Sequence, residues 1–368
     1  MSATPLLAEL RERIAQDGPI TVERYMALCL GHPLHGYYRT RDPLGAAGDF
    51  VTAPEISQIF GELLGLWTAQ VWHDLGRPSR LVLAELGPGR GTLMADALRA
   101  IRAALPDCAG ALDLHLVETS PVLRAAQARS LAGVAARWHD EAGTLPEGPA
   151  VILANEFFDA LPVRQYQRTA QGWCERLVGL GPDGAALAFG LSPEPSREIA
   201  VEGRPGAVLT VPSAGLAVVR DLAARLVRDG GALLAIDYGE ARPGLTDTLQ
   251  AVSRHRFADP LAAPGENDLT VQVDFGALAR AAGTLGAAAH GPASQRDFLL
   301  ALGLAQRVER LTARAAPDRA AAVRAGAERL IDAQPRGMGS LFKVLGLAGP
   351  GQPLLPGLPP AALPVPSV

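Results

Sequence analysis

Short apolar runs alternate with helical stretches through most of the chain after residue 80. In chain order the candidate strands are LVLAEL (81–86), LDLHLVE (112–118), the weaker VAARW (134–138), AVILANEFF (150–158), ALLAIDY (232–238), GTLGAAAH (283–290) and SLFKVLGL (340–347). Strands separated by helices are typical of βα units, which place their strands side by side in a largely parallel sheet. The pattern therefore predicts an α/β fold.

Two segments depart from this alternation. The N-terminal residues predict helices, the first capped at Thr4, and a later one capped by Thr52 with Glu55 and running to about Gly76. Three short runs within about 163–195, VRQYQR, CERLVGL and AALAFGL, predict an antiparallel insertion. The chain is expected to comprise an N-terminal helical and lid segment (1–79), an α/β domain with the insertion (80–347) and a proline-rich tail (348–368), irregular or packed as a strap.

Composition narrows the class of protein. With 48% hydrophobic and 20% charged residues, the chain has the make-up of an ordinary globular protein. A net charge of -4 gives no basic footprint for nucleic acid, and no apolar run approaches the roughly 18 residues of a membrane span. Acids among the first residues are out of place in a transit peptide, so we expect a cytoplasmic protein with no nucleic-acid partner and no membrane insertion.

Metal chemistry is not expected. The three cysteines lie far apart and make no CxxC pair, which argues against a cysteine zinc cluster. Cys29, His32 and His35 have an even spacing, but a soft-ligand site needs a fourth group that the sequence does not supply. His35 is better interpreted as part of a substrate lid or a packed loop.

A glycine-rich loop follows the first predicted strand. The segment Glu85-Leu-Gly-Pro-Gly-Arg-Gly-Thr92 closes that strand and opens a helix. Glycines let the backbone turn sharply and let a ligand approach without a Cβ in the way. A dinucleotide fingerprint reads GxGxxG, whereas this loop reads GxGxG with an acid two residues before it, which favours a nucleoside cofactor that has no phosphate. The alternative is an ordinary tight turn.

Acidic and amide side chains end the neighbouring predicted strands. Glu118 ends the second strand, where an acid can hold both hydroxyls of an adenosine ribose. Asn155, Glu156 and Asp159 lie at the end of the fourth strand, and Asp237 lies at the end of the fifth. Ligands in open α/β sheets bind outside the carboxyl ends of the strands, so all of these should face one crevice. The alternative, in which Asp159 merely caps a turn, explains Asn155 and Glu156 poorly.

Seven segments, in order from about residue 20 to 347, resemble a known family: HGYYRTRDPLGAAGDFVTAPEISQIFGELLGLW, ELGPGRGTLMAD, LVETSPVLRAAQ, ANEFFDALPVRQ, DYG, DPLAAPGENDLTVQVDF and MGSLFKVLGL. They are similar to the MidA family, class I methyltransferases that include the mitochondrial complex I assembly-factor arginine methyltransferase. The first is the most specific, because GDFVTAPEISQIFGE is not a generic methyltransferase element. Two positions depart from the family: Gln272 replaces a frequent histidine, and TVPS (210–213) replaces a stretch that commonly contains glutamate.

The resemblance implies a seven-stranded Rossmann-like sheet, bound S-adenosylmethionine and, as for the characterised mitochondrial member, symmetric dimethylation of an arginine on a respiratory-complex subunit. The expected cofactor-binding residues are Glu85, Gly87, Pro88, Gly89, Gly91, Thr92, Glu118 and Asn155. The expected catalytic residues are Glu156 for orientation, Asp159 as its support, and Asn155. The expected substrate contacts are His35, Tyr37, Asp49, Glu55, Asp237 and His255, with residues 31–55 as part of the acceptor surface.

Two other functions stay open. A methyltransferase acting on a small molecule would use the same cofactor, and a cofactor-binding assembly protein with little turnover would carry the same loop. The loop and insertion at the crevice mouth favour a large substrate, because a small-molecule site is usually closed over. The sequence leaves open which group accepts the methyl, how many methyls are transferred and the oligomeric state, with a dimer as one option.

Overall fold

The computed structural model describes residues 4–41, 45, 49–242, 244–253 and 255–361. Contacts divide the chain into two compact units, neither of them continuous in sequence. The first unit comprises Met1–Phe50, Asp159–Ala217 and Arg242–Asp274, and the second comprises Val51–Phe158, Val218–Ala241 and Phe275–Val368. The sequence analysis expected boundaries at residues 79 and 347, and the two compact units divide the chain at other positions.

The strands and the helices are numbered separately, each in chain order. The strands are β1 (Ile20–Thr21), β2 (Leu81–Leu86), β3 (Leu112–Val117), β4 (Ala136–His139), β5 (Ala150–Asn155), β6 (Arg164–Arg168), β7 (Trp173–Leu180), β8 (Leu187–Pro195), β9 (Val208–Val211), β10 (Gly231–Glu240), β11 (Gln250–Ser253), β12 (Arg256–Ala258), β13 (Asp268–Thr270), β14 (Val273–Asp274), β15 (Ala288–Ser294) and β16 (Phe342–Ala348). The helices are α1 (Pro5–Asp17), α2 (Val22–Gly31), α3 (Tyr37–Thr40), α4 (Ala53–Ile56), α5 (Gln58–Asp74), α6 (Thr92–Ala104), α7 (Pro106–Ala111), α8 (Pro121–Ser130), α9 (Ser213–Asp229), α10 (Phe275–Gly283), α11 (Gln295–Ala301), α12 (Leu304–Thr312), α13 (Pro317–Leu330) and α14 (Met338–Leu341), with a 3-10 turn at Ala142–Thr144.

The central sheet of the second unit has the strand order β15-β16-β10-β5-β2-β3-β4. Strands β4, β3, β2, β5 and β10 are parallel, whereas β16 runs antiparallel to both β10 and β15. Every residue of β2 and β5 is buried, as expected for parallel strands covered on both faces. The apolar runs therefore predicted these strands correctly, and the α/β fold is confirmed.

The helix preceding β2 begins later than expected. Thr52 makes no side-chain cap bond, and its short helix α4 ends at Ile56 because Ser57 has extended backbone angles. Ser57 then caps α5, whose Ile59 amide donates to the Ser57 hydroxyl at 3.3 Å. The predicted capping box of Thr52 with Glu55 is therefore wrong, because the Glu55 carboxylate binds Thr92 instead.

Helices α5 and α6 approach each other closely. The buried residues of α5 include Ile59, Leu63 and Trp67, which recur at helical spacing. Between them, Gly65 faces α6 so closely that a Cβ at this position would lie 2.5 Å from the Ala97 carbonyl oxygen. The contact depends on glycine because no side chain fits in that space.

The first unit is built around antiparallel sheets. One has the order β1-β7-β6-β9 with β8 paired to β7, and the other has the order β12-β11-β13. Helices α1 and α2 begin at Thr4 and Thr21, whose hydroxyls accept from the amides of Leu7 and Arg24. The predicted antiparallel insertion is present, and its sheet extends beyond residue 195 to include β9 and the N-terminal β1.

The proline-rich tail packs on the second unit as far as residue 361. Leu355 and Leu358 are buried, and the Trp67 indole donates to the Pro356 carbonyl at 3.1 Å. Proline disfavours a helix in this segment, which packs against the core as irregular chain with turns at 350–351 and 356–357. Residues 362–368 lie outside the described part of the chain.

Among the described residues, no helix has both the length and the apolar character needed to cross a bilayer.

Gly65→Ala should destabilise the protein. The added methyl would meet the Ala97 carbonyl, and overpacking of this kind costs about 1–3 kcal/mol. The matched control is Gly110→Ala in α7, where an added Cβ meets nothing within 4 Å. This control should gain about 0.5 kcal/mol from the lower entropy of the unfolded chain. Urea unfolding of both variants measures the difference, and equal midpoints would show that the α5–α6 contact does not require glycine.

Candidate active site

The loop between β2 and α6 has three glycines in the left-handed region of backbone space. Their φ values are 61° at Gly87, 53° at Gly89 and 80° at Gly91. The Gly91 amide donates to the Pro88 carbonyl at 2.7 Å, which closes the turn. Gly91 is the N-cap of α6 without a side-chain cap bond. Residues with a Cβ rarely adopt these angles, so the GxGxG spacing is required by the backbone itself.

Glu85 lies in β2, just before this loop, and is 3% exposed. Its Oε2 atom is buried and has no hydrogen-bond partner among the described residues. Burial raises the pKa of this carboxyl to about 8. A buried acceptor without a donor is costly in a native protein, which indicates that a ligand supplies the donor. The ammonium of S-adenosylmethionine is a donor of the required kind.

Glu118 is held in place after β3 by hydrogen-bond donors. Its carboxylate accepts from the Ser120 amide at 2.7 Å and from the side-chain amide of Gln127 at 3.2 Å. The same Gln127 amide donates to the Gly89 carbonyl at 2.8 Å. Burial raises the pKa of Glu118, while these hydrogen bonds act in the opposite direction. Gln127 thus connects the glycine loop to the expected ribose acid, a role that the sequence analysis did not identify.

Asn155 and Glu156 end the neighbouring strand β5. The Asn155 side-chain amide donates to Glu156 Oε1 at 3.3 Å, and the Ala53 amide donates to the same oxygen at 3.2 Å. Asn155 Oδ1 is buried without a partner among the described residues. Glu156 has φ of 51°, an unfavourable backbone conformation for a residue with a side chain. Such strain is found where a side chain must point in a particular direction, and here it accompanies a half-buried carboxylate.

Two predicted substrate contacts make hydrogen bonds within the second unit. Asp237 is fully buried, and its carboxylate accepts from the amides of Phe158 and Tyr238. Glu55 accepts from the Thr92 hydroxyl at 2.5 Å and lies 3.7 Å from the Arg90 guanidinium. Asp237 therefore fixes the segment after β5, and Glu55 connects α4 to the glycine loop. The assignment of Asp237 and Glu55 as substrate contacts stays a prediction.

The remaining predicted substrate residues lie in the first unit. Tyr37 is buried and donates to Asp49 at 2.6 Å, and burial raises the pKa of the phenol well above its usual range. His35 stacks on His32 with ring centroids 5.2 Å apart, and His255 is exposed at the turn before β12. Asp159 also belongs to this unit, where its carbonyl accepts from the Val271 amide. Residues 42–44 and 46–48 of the expected acceptor surface lie outside the described residues.

Cys29 and His32, which have an even spacing with His35, interact with neighbouring groups of the chain. His32 Nδ1 accepts from the amides of Leu34 and His35, and burial raises the pKa of the Cys29 thiol to about 12. In the part of the chain that the structure describes, no cluster of three or more His, Cys, Asp or Glu side chains could hold a metal ion. These histidines instead shape the backbone after α2.

A sheet of this order, with a glycine loop after β2, an acid after β3 and an amide and acid after β5, defines the class: a class I S-adenosylmethionine-dependent methyltransferase. The sequence matches the S-adenosyl-L-methionine-dependent methyltransferase family Methyltransf_28 over residues 63–293. The chain belongs to this family, and its resemblance to MidA proteins is confirmed.

Named relatives and a solved structure agree with this assignment. Protein arginine methyltransferase NDUFAF7, mitochondrial, from Danio rerio is 38% identical, with 92% of this chain and 85% of the relative covered. The protein of the same name from Mus musculus is 39% identical, with 94% and 84% covered. A COG1565 superfamily member from Burkholderia thailandensis, bound to S-adenosyl-homocysteine, has a TM-score of 0.83 and 32% identity over 97% of each chain. The predicted cofactor, S-adenosylmethionine, is confirmed.

The prediction of a cytoplasmic location is wrong, because these relatives are named as mitochondrial proteins. That prediction used the acids near the N-terminus as a sign against a targeting segment. The acids near the N-terminus have a structural explanation. Residues 5–17 form the folded helix α1, with Leu6, Leu10 and Ile14 buried. Their composition reflects packing and solvation of a helix and carries no information about cellular location.

Gly89→Val should abolish or strongly weaken binding of S-adenosyl-homocysteine. A branched side chain disfavours φ of 53° and places carbon atoms where the loop should approach the ligand. Gly133→Val is the matched control, since Gly133 has φ of 80° and an added Cβ there meets nothing within 4 Å. Both variants should lose stability, and calorimetry should show a loss of affinity of tenfold or more for Gly89→Val alone. Equal affinities in the two variants would exclude the loop from the site.

Proposed function

We propose that the protein transfers methyl groups from S-adenosylmethionine to an arginine of a protein substrate. The relatives named as protein arginine methyltransferases support the choice of acceptor. The observation that carries the proposal is the Glu156 carboxylate, held in a strained backbone conformation directly after β5. A negative group at this edge of the sheet suits a cationic acceptor next to the cofactor.

The cofactor-binding role that we propose for each group follows from its chemistry. The Glu118 carboxylate would accept from the ribose hydroxyls, and Glu85 and Asn155 would accept from the ammonium through atoms that have no donor among the described residues. The glycine loop from Gly87 to Gly91 would lie against the ligand, with Pro88 closing the turn and Thr92 fixing the start of α6. Because the cofactor has no phosphate, this arrangement needs no phosphate-binding pocket.

A guanidinium is a difficult nucleophile. It is fully protonated at neutral pH and its lone pair is delocalised over three nitrogens, so a carboxylate must localise the charge and receive a proton as the new bond forms. Bound S-adenosylmethionine supplies an electrophilic methyl on a sulfonium. The remaining task for the protein is to hold the acceptor nitrogen in line and near contact, which can account for much of the rate.

Glu156 is the group that we assign to this task. The Ala53 amide and the Asn155 side chain both bind its Oε1 atom, so the carboxylate has a fixed direction. Asn155 would have two roles: its side-chain amide would orient Glu156, and its Oδ1 atom would accept from the ammonium of the cofactor. Asp159 stays a predicted catalytic residue, and within the first unit its carbonyl accepts from the Val271 amide.

The acceptor that we propose is a subunit of a respiratory complex, as the family resemblance implies. His35 and His255 remain candidate contacts with it, since His35 is half-buried and His255 is exposed. Tyr37 and Asp49 would act by stabilising the segment after α2 through their hydrogen bond. A small-molecule acceptor would require none of these features.

Purified protein supplied with methyl-labelled S-adenosylmethionine and a cell lysate should label a protein. Acid hydrolysis of the labelled fraction should release symmetric dimethylarginine, which chromatography separates from the asymmetric form. The Gly89→Val variant provides the background. Label confined to small molecules would establish the alternative acceptor class, and bound cofactor with no transfer to any acceptor would support the assembly-protein alternative. Label on lysine or on the carboxyl groups of a protein would contradict arginine as the acceptor.

Glu156→Gln should keep the fold and cofactor affinity but lower turnover by a factor on the order of a hundred or more, the scale of acid–base contributions. The amide oxygen of glutamine can still accept from Ala53, so the loss would report the missing charge. Glu156→Gly is the matched control, because glycine suits φ of 51° and removes the side chain without adding backbone strain. Turnover is measured with cofactor binding verified. Normal turnover in the glutamine variant and loss only in the glycine variant would mean that Glu156 merely positions its neighbours.

A further inference from the structure

Two unsatisfied acceptors lie at the ends of adjacent strands. Glu85 Oε2 on β2 and Asn155 Oδ1 on β5 are buried and have no donor among the described residues. The two strands are parallel neighbours, with Glu85 opposite Leu153 and Leu86 opposite Ala154. Both side chains therefore belong to the same stretch of the sheet edge, next to the glycine loop.

The Glu85 carboxyl lacks a compensating charge. Burial alone raises its pKa to about 8, and no cation of the described chain lowers it. The other charged groups at this edge include Glu118 after β3, Arg124 bound to the Glu118 carbonyl, Glu156 after β5, Asp237 on β10, and Glu55 of α4, which lies near Arg90 of the loop. An isolated buried carboxyl is stable in its neutral form, because ionisation would leave an unpaired charge in a medium of low polarity.

We infer that a ligand presenting an ammonium to Glu85 and Asn155 ionises the Glu85 carboxyl on binding, so that uptake of cofactor or product releases a proton to solvent. The carboxylic acid loses its proton, the carboxylate pairs with the ammonium, and the ammonium keeps all of its protons. This inference rests on the cofactor placement proposed above. It adds that Glu85 couples cofactor affinity to pH.

The sign of the coupling follows from which form binds. Binding requires the ionised carboxylate, so affinity should increase with pH while the free protein still holds the proton, by up to about tenfold per pH unit. The increase should level off as the pH passes the Glu85 pKa of about 8 in the free protein. Near pH 7 the number of protons released per ligand should be close to one.

Calorimetric titration with S-adenosyl-homocysteine measures this number without any turnover. The titration is repeated at one pH in two buffers whose ionisation enthalpies differ, and the difference in apparent binding enthalpy gives the protons released. The matched ligand is 5′-methylthioadenosine, which keeps the nucleoside and thioether but has neither ammonium nor carboxylate. It should bind with no proton release.

Two variants identify the group that titrates. Glu85→Gln should bind S-adenosyl-homocysteine with no proton release and with an affinity independent of pH between about 6 and 7.5, because the amide cannot ionise in the range where a carboxyl of pKa near 8 would. Glu118→Gln should weaken both ligands but keep the release that accompanies S-adenosyl-homocysteine. Circular dichroism verifies that each variant is folded.

Each outcome bears on one claim. Release near one proton in the wild type, lost in Glu85→Gln and absent with 5′-methylthioadenosine, supports the inference. Tight binding of S-adenosyl-homocysteine by the wild type without release would overturn it and leave the cofactor site intact. Release that persists in Glu85→Gln, or vanishes in Glu118→Gln, would assign the proton to another group and also overturn it. Failure of the folded wild type to bind either ligand would overturn the cofactor placement itself.

Discussion

The parallel register of β2 with its two neighbours determines where every proposed cofactor contact lies. Leu86 is opposite Val117 of β3 on one side and Ala154 of β5 on the other. The next residue along each of the three strands is one of the proposed cofactor contacts, namely Gly87, Glu118 or Asn155. Hydrogen bonds along the whole length of buried strands fix this alignment, and a shift of one residue would turn every side chain to the opposite face.

Much of this arrangement is encoded locally and can be predicted from the sequence. Apolar runs of strand length identify the strands, and polar residues toward the end of each run mark the edge of the sheet, which is how Glu118 and Asn155 are found. The GxGxG loop is predictable because positive φ angles at Gly87, Gly89 and Gly91 leave few alternatives to glycine. In these cases the sequence signal and the physical cause lie within a few residues of each other.

Other features depend on partners distant in sequence. Thr52 and Glu55 have the spacing of a capping box, but the Thr92 hydroxyl competes for the Glu55 carboxylate. Asp237 lies near the end of a predicted strand, but the sequence gives no sign that the amide of Phe158, 79 residues earlier, donates to its carboxylate. Gln127 gives no signal within its own helix, since its partners are Gly89, Glu118 and Trp138. The assembly of each unit from separate segments likewise leaves no local pattern.

The hydrogen bond from the Trp138 indole to Gln127 Oε1, at 2.8 Å, has a practical consequence. Through Gln127, this ring is connected to the Gly89 carbonyl and to the Glu118 carboxylate. The emission of an indole responds to its hydrogen bonding and to the local electric field, so any change in charge or position at the glycine loop will alter the spectrum of Trp138. The intrinsic fluorescence of Trp138 can therefore be used to follow changes at this edge of the sheet in real time, without an added dye.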